Sequence, residues 1–181
     1  MVEMTNKLLF RARYRYPGAS MELEEIILVL ADEKFKKGLT IALGYEEAHS
    51  IDTVLKKLDT PRPLPHDVIV DVVKRLGAEV TDAEIYESKP FKIKLIDSGV
   101  EVMIEWFLSR VNIQTKKGKK IIVDARPSDA VALALRAKAP IYVAEELLEQ
   151  ALEEDFEDSS GQNFRQLLFQ LEEKELKKFK V

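Results

Sequence analysis

Val123-Asp124-Ala125-Arg126-Pro127-Ser128-Asp129-Ala130-Val131-Ala132-Leu133-Ala134-Leu135 is the stretch that decides the fold. The β-branched run Ile121, Ile122, Val123 stops at an aspartate, turns through Arg126-Pro127, and restarts as an alanine- and leucine-rich helix. Strand ends and first helical turns are both rigid, and this junction holds two carboxylates and a guanidinium between positions 124 and 129. Arg-Pro recurs once, in Pro61-Arg62-Pro63-Leu64-Pro65-His66-Asp67, and there too it precedes an acid that opens a helix. The chain carries two polar junctions of one type.

Working outward, the pattern around each junction is strands first and helix after. Leu8, Phe10, Ala12, Tyr14 and Tyr16 alternate with Lys7, Arg11, Arg13 and Arg15, the period of a half-buried strand. Glu25 to Ala31 and Leu39 to Leu43 read as two more strands, followed by a helix over Glu47 to Leu58 with Ala48, Ile51, Leu55 and Leu58 on its apolar stripe. A proline-rich loop leads into a second helix, His66 to Leu76, stopped by Gly77 in a left-handed cap. Then strands return at Ala78–Glu87, Phe91–Ile96, Val100–Leu108 and Lys119–Asp124, before the helix at 127–137, a strand at Ile141–Ala144 and a helix at Glu145–Leu152. Aligning helix starts sets Glu47-Ala48 against Asp129-Ala130 and Ile51 against Leu133, a hint of internal duplication.

The expected architecture is therefore α+β: one compact domain over residues 1–152, made of two similar strand-strand-strand-helix halves with mixed sheets packed against helices. An acidic linker at 153–162 and a C-terminal amphipathic helix, Asn163 to Phe179 within 163–181, complete the reading. At 181 residues and 46% apolar content the chain has ample material for a core. Cysteine is absent, which excludes disulfides, thiol catalysis and zinc-thiolate sites. The longest apolar run, Ile26 to Ala31, is too short to cross a bilayer, and Met1 to Tyr16 has no apolar signal core. We expect a cytoplasmic location and no membrane partner. Charged residues reach 33%, the make-up of heat-adapted chains held by surface ion pairs. A net charge of −4 argues against a general nucleic-acid coat. An enzyme needs only a local positive strip, and two exist: Arg11, Arg13 and Arg15, and the cluster Lys116, Lys117, Lys119 and Lys120.

The junction residues allow two kinds of chemistry. Asp124 and Asp129 could hold Mg²⁺ or Mn²⁺, with Arg126 neutralising a phosphate. Equally, Ser128 or Asp129 could cap the helix while Arg126 pairs with an acid. Only two histidines exist, so an imidazole acid or base must be His49 or His66. His66 follows a rigid proline arm and could face a cleft, or Asp67 could cap the helix with His66 in a solvated turn. Glu47 has the first-turn placement of Asp129, which helix-dipole complementation also explains. The lysine cluster surrounds Gly118 and reads as a hairpin tip.

Taken in order, Thr40-Ile41-Ala42-Leu43-Gly44 with Glu47-Ala48, the Pro61–Asp67 arm, Asp124 to Ala130, and Ala139-Pro140-Ile141-Tyr142-Val143 resemble the bifunctional nuclease domain family over about residues 7–150. The resemblance implies an α+β domain with internal duplication, homo-oligomeric assembly, and DNase and RNase activity of the kind reported for plant members. On that basis His66, Asp67, Asp129 and Glu47 are expected as catalytic residues. Arg62, Arg126, Lys117 and Lys119 are expected to bind substrate phosphate, and Asp124 and Asp129 to ligate metal, with no organic cofactor. Ala42 stands where relatives carry Trp or a bulky aliphatic, residues 97–117 with Trp106 and Arg110 read as an insertion, and the C-terminal region lacks the helical-hairpin module of some relatives. Three function classes follow: a metal-assisted nuclease without sequence specificity, a non-hydrolytic nucleotide or ligand pocket, and an oligomeric scaffold whose Arg and Asp junctions are structural ion pairs.

Overall fold

A computed structural model describes residues 1–14, 23–34, 37–94 and 101–148. After a short β1 (Val2–Glu3), β2 (Asn6–Tyr14), β3 (Leu23–Ala31) and β4 (Gly38–Leu43) form an antiparallel three-stranded sheet ordered β2-β3-β4. Two helices follow, α1 (Tyr45–Leu55) and α2 (Pro65–Arg75). A second meander, β5 (Ala78–Lys94), β6 (Glu101–Thr115) and β7 (Lys120–Ala125), leads into α3 (Pro127–Ala137), β8 (Ile141–Val143) and a helical turn at 145–148. The second sheet runs β1-β8-β5-β6-β7, with β8 parallel to β5 and every other pair antiparallel.

The fold is α+β, with mixed sheets packed against helices. Three antiparallel strands followed by a helix occur twice, as β2-β3-β4-α1 and β5-β6-β7-α3. The helix α3 is the hub: Ala130 to Ala134 are all buried, and the helix packs on β5, β6, α1 and α2. Its alanines explain that position, because small side chains let neighbours approach without overpacking. Around it one core joins Leu28, Leu30 and Ile41 of the first sheet, Ile51 of α1, and Ile85, Val111 and Ile141 of the second. Each such aliphatic side chain contributes roughly 1.5–3 kcal/mol through burial.

The structure departs from the sequence pattern in instructive places. Ala78–Glu87 and Phe91–Ile96, expected as two strands, are one strand that carries Pro90 in its ladder opposite Glu105. Proline is tolerated there because β8 pairs only with Ala83 to Ile85, so that among the described residues no strand lies along the outer edge of β5 at Pro90 to receive an N–H. The stretch read as an insertion contributes to β6, which runs on to Thr115 as the middle strand of the meander. Leu58 is exposed rather than part of the α1 stripe, since the helix ends at Leu55 and Lys57 takes a left-handed φ of 52°. Gly77 has a φ of 75°, as the cap reading required, and its carbonyl accepts a hydrogen bond from Lys116 N–H. The C-terminal helix, the acidic linker and the end of the expected 145–152 helix lie outside the described residues. Within the described residues no helix is long and apolar enough to cross a membrane.

Candidate functional site

The helices α1, α2 and α3 begin in the same way. Gly44, Leu64 and Arg126 are the N-caps, all with extended backbone, and three residues on stand Glu47, Asp67 and Asp129. An acid in the first turn complements the positive end of the helix dipole, so the pattern stabilises each helix locally. Pro65 and Pro127 open α2 and α3, where a missing N–H carries no penalty. Asp67 does act as a cap, since its Oδ2 accepts a hydrogen bond from Leu64 N–H at 2.7 Å. Ser128 does not: the N-cap of α3 is Arg126, and no side chain caps that helix.

Packing of α1 and α2 against α3 brings these starts together. Arg126 is the centre: its Nε donates to Asp129 Oδ2 at 2.8 Å, Nη2 to Asp129 Oδ1 at 3.1 Å, and Nη1 to Glu47 Oε1 at 2.9 Å. One guanidinium thus ties the starts of α1 and α3, the helices that follow the two three-stranded meanders. Asp129 Oδ1 also lies 3.3 Å from His66 Nε2, and His66 Nδ1 is 2.8 Å from Ser50 Oγ. The Arg126 guanidinium, bonded to it, holds the Asp129 carboxyl below its usual range, and the His66 bond acts in the same direction against burial. Asp129 reciprocally raises the Arg126 pKa.

These facts fix the ring. Ionised Asp129 can only accept, so Nε2 carries the proton and donates to it. In the neutral ring Nδ1 is then bare and accepts from the Ser50 hydroxyl. The hydroxyl–imidazole–carboxylate order is that of a nucleophilic triad with the ring nitrogens exchanged. Ser50 is only 6% exposed, so its hydroxyl orients the ring rather than meeting a substrate.

A second guanidinium braces the first cluster from beneath. Arg136 Nε donates to Asp67 Oδ1 at 2.6 Å, Nη2 to the Ser50 carbonyl at 3.1 Å and Nη1 to the Ala132 carbonyl at 3.1 Å. Its side chain is buried. One residue therefore locks α1, α2 and α3 in the relation that places His66 against Asp129.

Of the residues expected from sequence, Glu47, His66, Arg126 and Asp129 converge, and Asp67 joins through Arg136. Arg62 is exposed on the loop before α2 and makes no ion pair among the described residues. Asp124 is exposed and stands opposite Arg110 in the β6–β7 register, and none of the hydrogen bonds within the cluster reaches it. Lys117 and Lys119 lie at the far end of β7, where the turn is pinned to Gly77, about 20 Å along a six-residue strand from the Arg126 junction. Ser50 and Arg136 were not singled out. Arg136 did leave a trace, since it follows Asp129 by two helical turns and so shares its face.

A family model for the bifunctional nuclease domain matches residues 28–155. The chain belongs to the bifunctional nuclease domain family. The match takes in all three helix starts but begins at Leu28, inside β3, so β1 and β2 fall outside it. Similar relatives are the "Uncharacterized protein Rv1829" of Mycobacterium tuberculosis strain ATCC 25618 / H37Rv and the "Uncharacterized protein MT1877" of strain CDC 1551 / Oshkosh. Each is 32% identical over 128 residues, covering 69% of this chain and 65% of the relative. The bifunctional nuclease domain here thus spans just under two thirds of the length of the curated proteins it matches.

Proposed function

We propose that this protein is a nuclease that cleaves phosphodiester bonds of DNA or RNA at the cluster of Glu47, His66, Arg126 and Asp129. The observation that carries the reading is their convergence, from three helix starts far apart in sequence, in a chain of this family. Arg126 uses three of the five N–H donors of a guanidinium within the cluster and is 57% exposed, so two remain for a substrate phosphate. The helix N-termini around it favour an anion. His66 would supply the acid–base group, its Nε2 exchanging the long 3.3 Å contact with Asp129 for the substrate while Ser50 holds Nδ1, because imidazole is the side chain suited to moving protons at physiological pH.

Mg²⁺ or Mn²⁺ would assist by polarising the phosphate, but the donors do not fit such an ion. Both oxygens of Asp129 are engaged by Arg126, and the Glu47 Oε1 likewise. Among the described residues no group of three or more His, Asp or Glu side chains is arranged to hold a metal. The chemistry is therefore assigned to the side chains alone. The test is a nuclease assay on purified wild type, Asp129→Asn and His66→Ala, each with Mg²⁺, with Mn²⁺ and with EDTA. Activity that persists in EDTA and drops at least a hundredfold in both variants is expected, the scale of a lost general acid–base group. Equal activity in all three proteins would end the proposal.

A second reading, an oligomeric scaffold, has its own observation: both arginines are closed on carboxylates, and Arg136–Asp67 is the more buried pair. Under it, the same variants would lose thermal stability or assembly, and no nuclease activity would track the purified chain. Homo-oligomerisation and a cytoplasmic location belong to the proposal under either reading.

A further inference from the structure

The opposite face of α1 carries a second feature. Tyr45, His49, Asp52 and Lys56 recur at four- and three-residue spacing, forming a stripe that turns away from Glu47 and Ser50. Together with Leu9 of β2 and Ile26 of β3 they line a cleft of about 160 Å³. The Tyr45 and His49 rings lie parallel to within 2°, with centroids 6.3 Å apart. Tyr45 is 66% exposed. Lys56 lies at the end of the stripe, bonded to Asp52 at 2.8 Å.

We propose that this cleft is a subsite for one base of a single-stranded nucleic acid, stacked on Tyr45 and His49 over the apolar floor of Leu9 and Ile26. The identity of the ligand rests on the nuclease reading. Its chemistry rests on the cleft. Stacking on aromatic rings is how unpaired bases are held without sequence preference, and it is combined with cations that follow the backbone. Those cations exist. Lys56 flanks the cleft itself, and the backbone of the edge strand β2 continues past Leu9 through positions 11 and 13, which the sequence fills with arginine. A base in a duplex has both faces covered by its neighbours and cannot enter a cleft of this size. The substrate class is therefore single-stranded. The floor lies outside the matched family stretch, so the subsite combines a family helix with residues of this chain that precede the match.

The probe is adenosine monophosphate, which has no phosphodiester to cut, titrated into the full-length ¹⁵N- and ¹³C-labelled chain. Shifts centred on the Tyr45 and His49 rings are expected, with affinity falling roughly tenfold or more in Tyr45→Ala and kept in Tyr45→Phe. Ribose 5-phosphate should bind far more weakly. Unperturbed Tyr45 and His49 resonances, equal affinity in Tyr45→Ala, or equal binding of ribose 5-phosphate would each overturn the subsite. Tyr45-dependent nucleotide binding without strand cleavage would retain the subsite and remove the nuclease reading. Cleavage without that binding would do the reverse.

Discussion

Asp129 Oδ1 lies 3.3 Å from His66 Nε2, so the acid of one polar junction meets the histidine of the other across 63 residues of sequence. The contact makes the two Arg-Pro segments one site. It also makes that site sensitive to pH through Asp129, whose pKa is held down first by its hydrogen bond from Arg126.

The sign of that sensitivity follows from linkage. A carboxylate whose pKa is lower in the folded than in the unfolded chain adds stability above the unfolded value, about 3.9, and loses it as pH falls through the folded value. Wild type should therefore be more stable than Asp129→Asn at pH 5, where the contribution of the carboxylate is fully present. That margin should shrink below about pH 4. Denaturant melts across this range check it, and a margin unchanged down to pH 2 would show that the Arg126 pair does not set the carboxylate.

Gly44 is the N-cap of α1 with an ordinary φ of −69°, so its freedom of conformation is not used. Space is: a Cβ at this position would run into Glu47 Oε2. Gly44→Ala should push the Glu47 carboxylate off Arg126 while changing stability by less than about 1 kcal/mol, since only the tip of a flexible side chain must move. Arg126 would be left paired with Asp129 alone. Under the nuclease reading the Michaelis constant should then move more than the turnover number, because a phosphate clamp has been retuned and the acid–base group left in place. A large loss of stability instead would mean that Glu47 cannot relocate.

How much of this was legible beforehand depended on where the signal lay. Hydrophobic period and turn chemistry are local, so the helix at 127–137, the Gly77 cap and the repeated strand-to-helix order could be read from residues within one element. The alignment of Glu47 with Asp129 could be read too, and both prove to be N3 residues joined by one arginine. What could not be read was pairing between elements. Nothing beside Pro90 says that the neighbouring strand stops at Ile85, and so the proline looked like a break. Lys117 sits near Arg126 in sequence yet a full strand away in space. Ser50 and Arg136 act on partners 16 and 69 residues distant, through a helix packing that periodicity cannot specify.

Arg136 tests that packing. Its buried guanidinium donates to Asp67 and to the carbonyl of Ser50, so Arg136→Ala removes the charged partner of Asp67 and leaves these acceptors to Leu64 N–H and the Thr53 hydroxyl. The loss should be about 2–4 kcal/mol, below the full penalty of a broken buried pair because Asp67 is part-exposed and can be rehydrated. Chemical denaturation measures it. A change under about 0.5 kcal/mol would place α2 against α3 by apolar contact alone.

Ser50 separates the holding of the ring from the chemistry of the ring. In Ser50→Ala the Nδ1 of His66 loses its donor, while the Ser50 main chain keeps its bonds to Arg136 and Thr53. The fold should therefore lose only about 0.5–1.5 kcal/mol. Two ring tautomers then compete, one still donating from Nε2 to Asp129 and one protonated on Nδ1. Imidazole ¹⁵N shifts read their populations directly. Wild type should show a single form with the proton on Nε2, and Ser50→Ala a mixture, with turnover reduced and substrate affinity kept if His66 moves protons in the reaction. A wild-type ring already mixed would mean that the Asp129 contact, at 3.3 Å, is too long to choose the tautomer and that Ser50 only fills space.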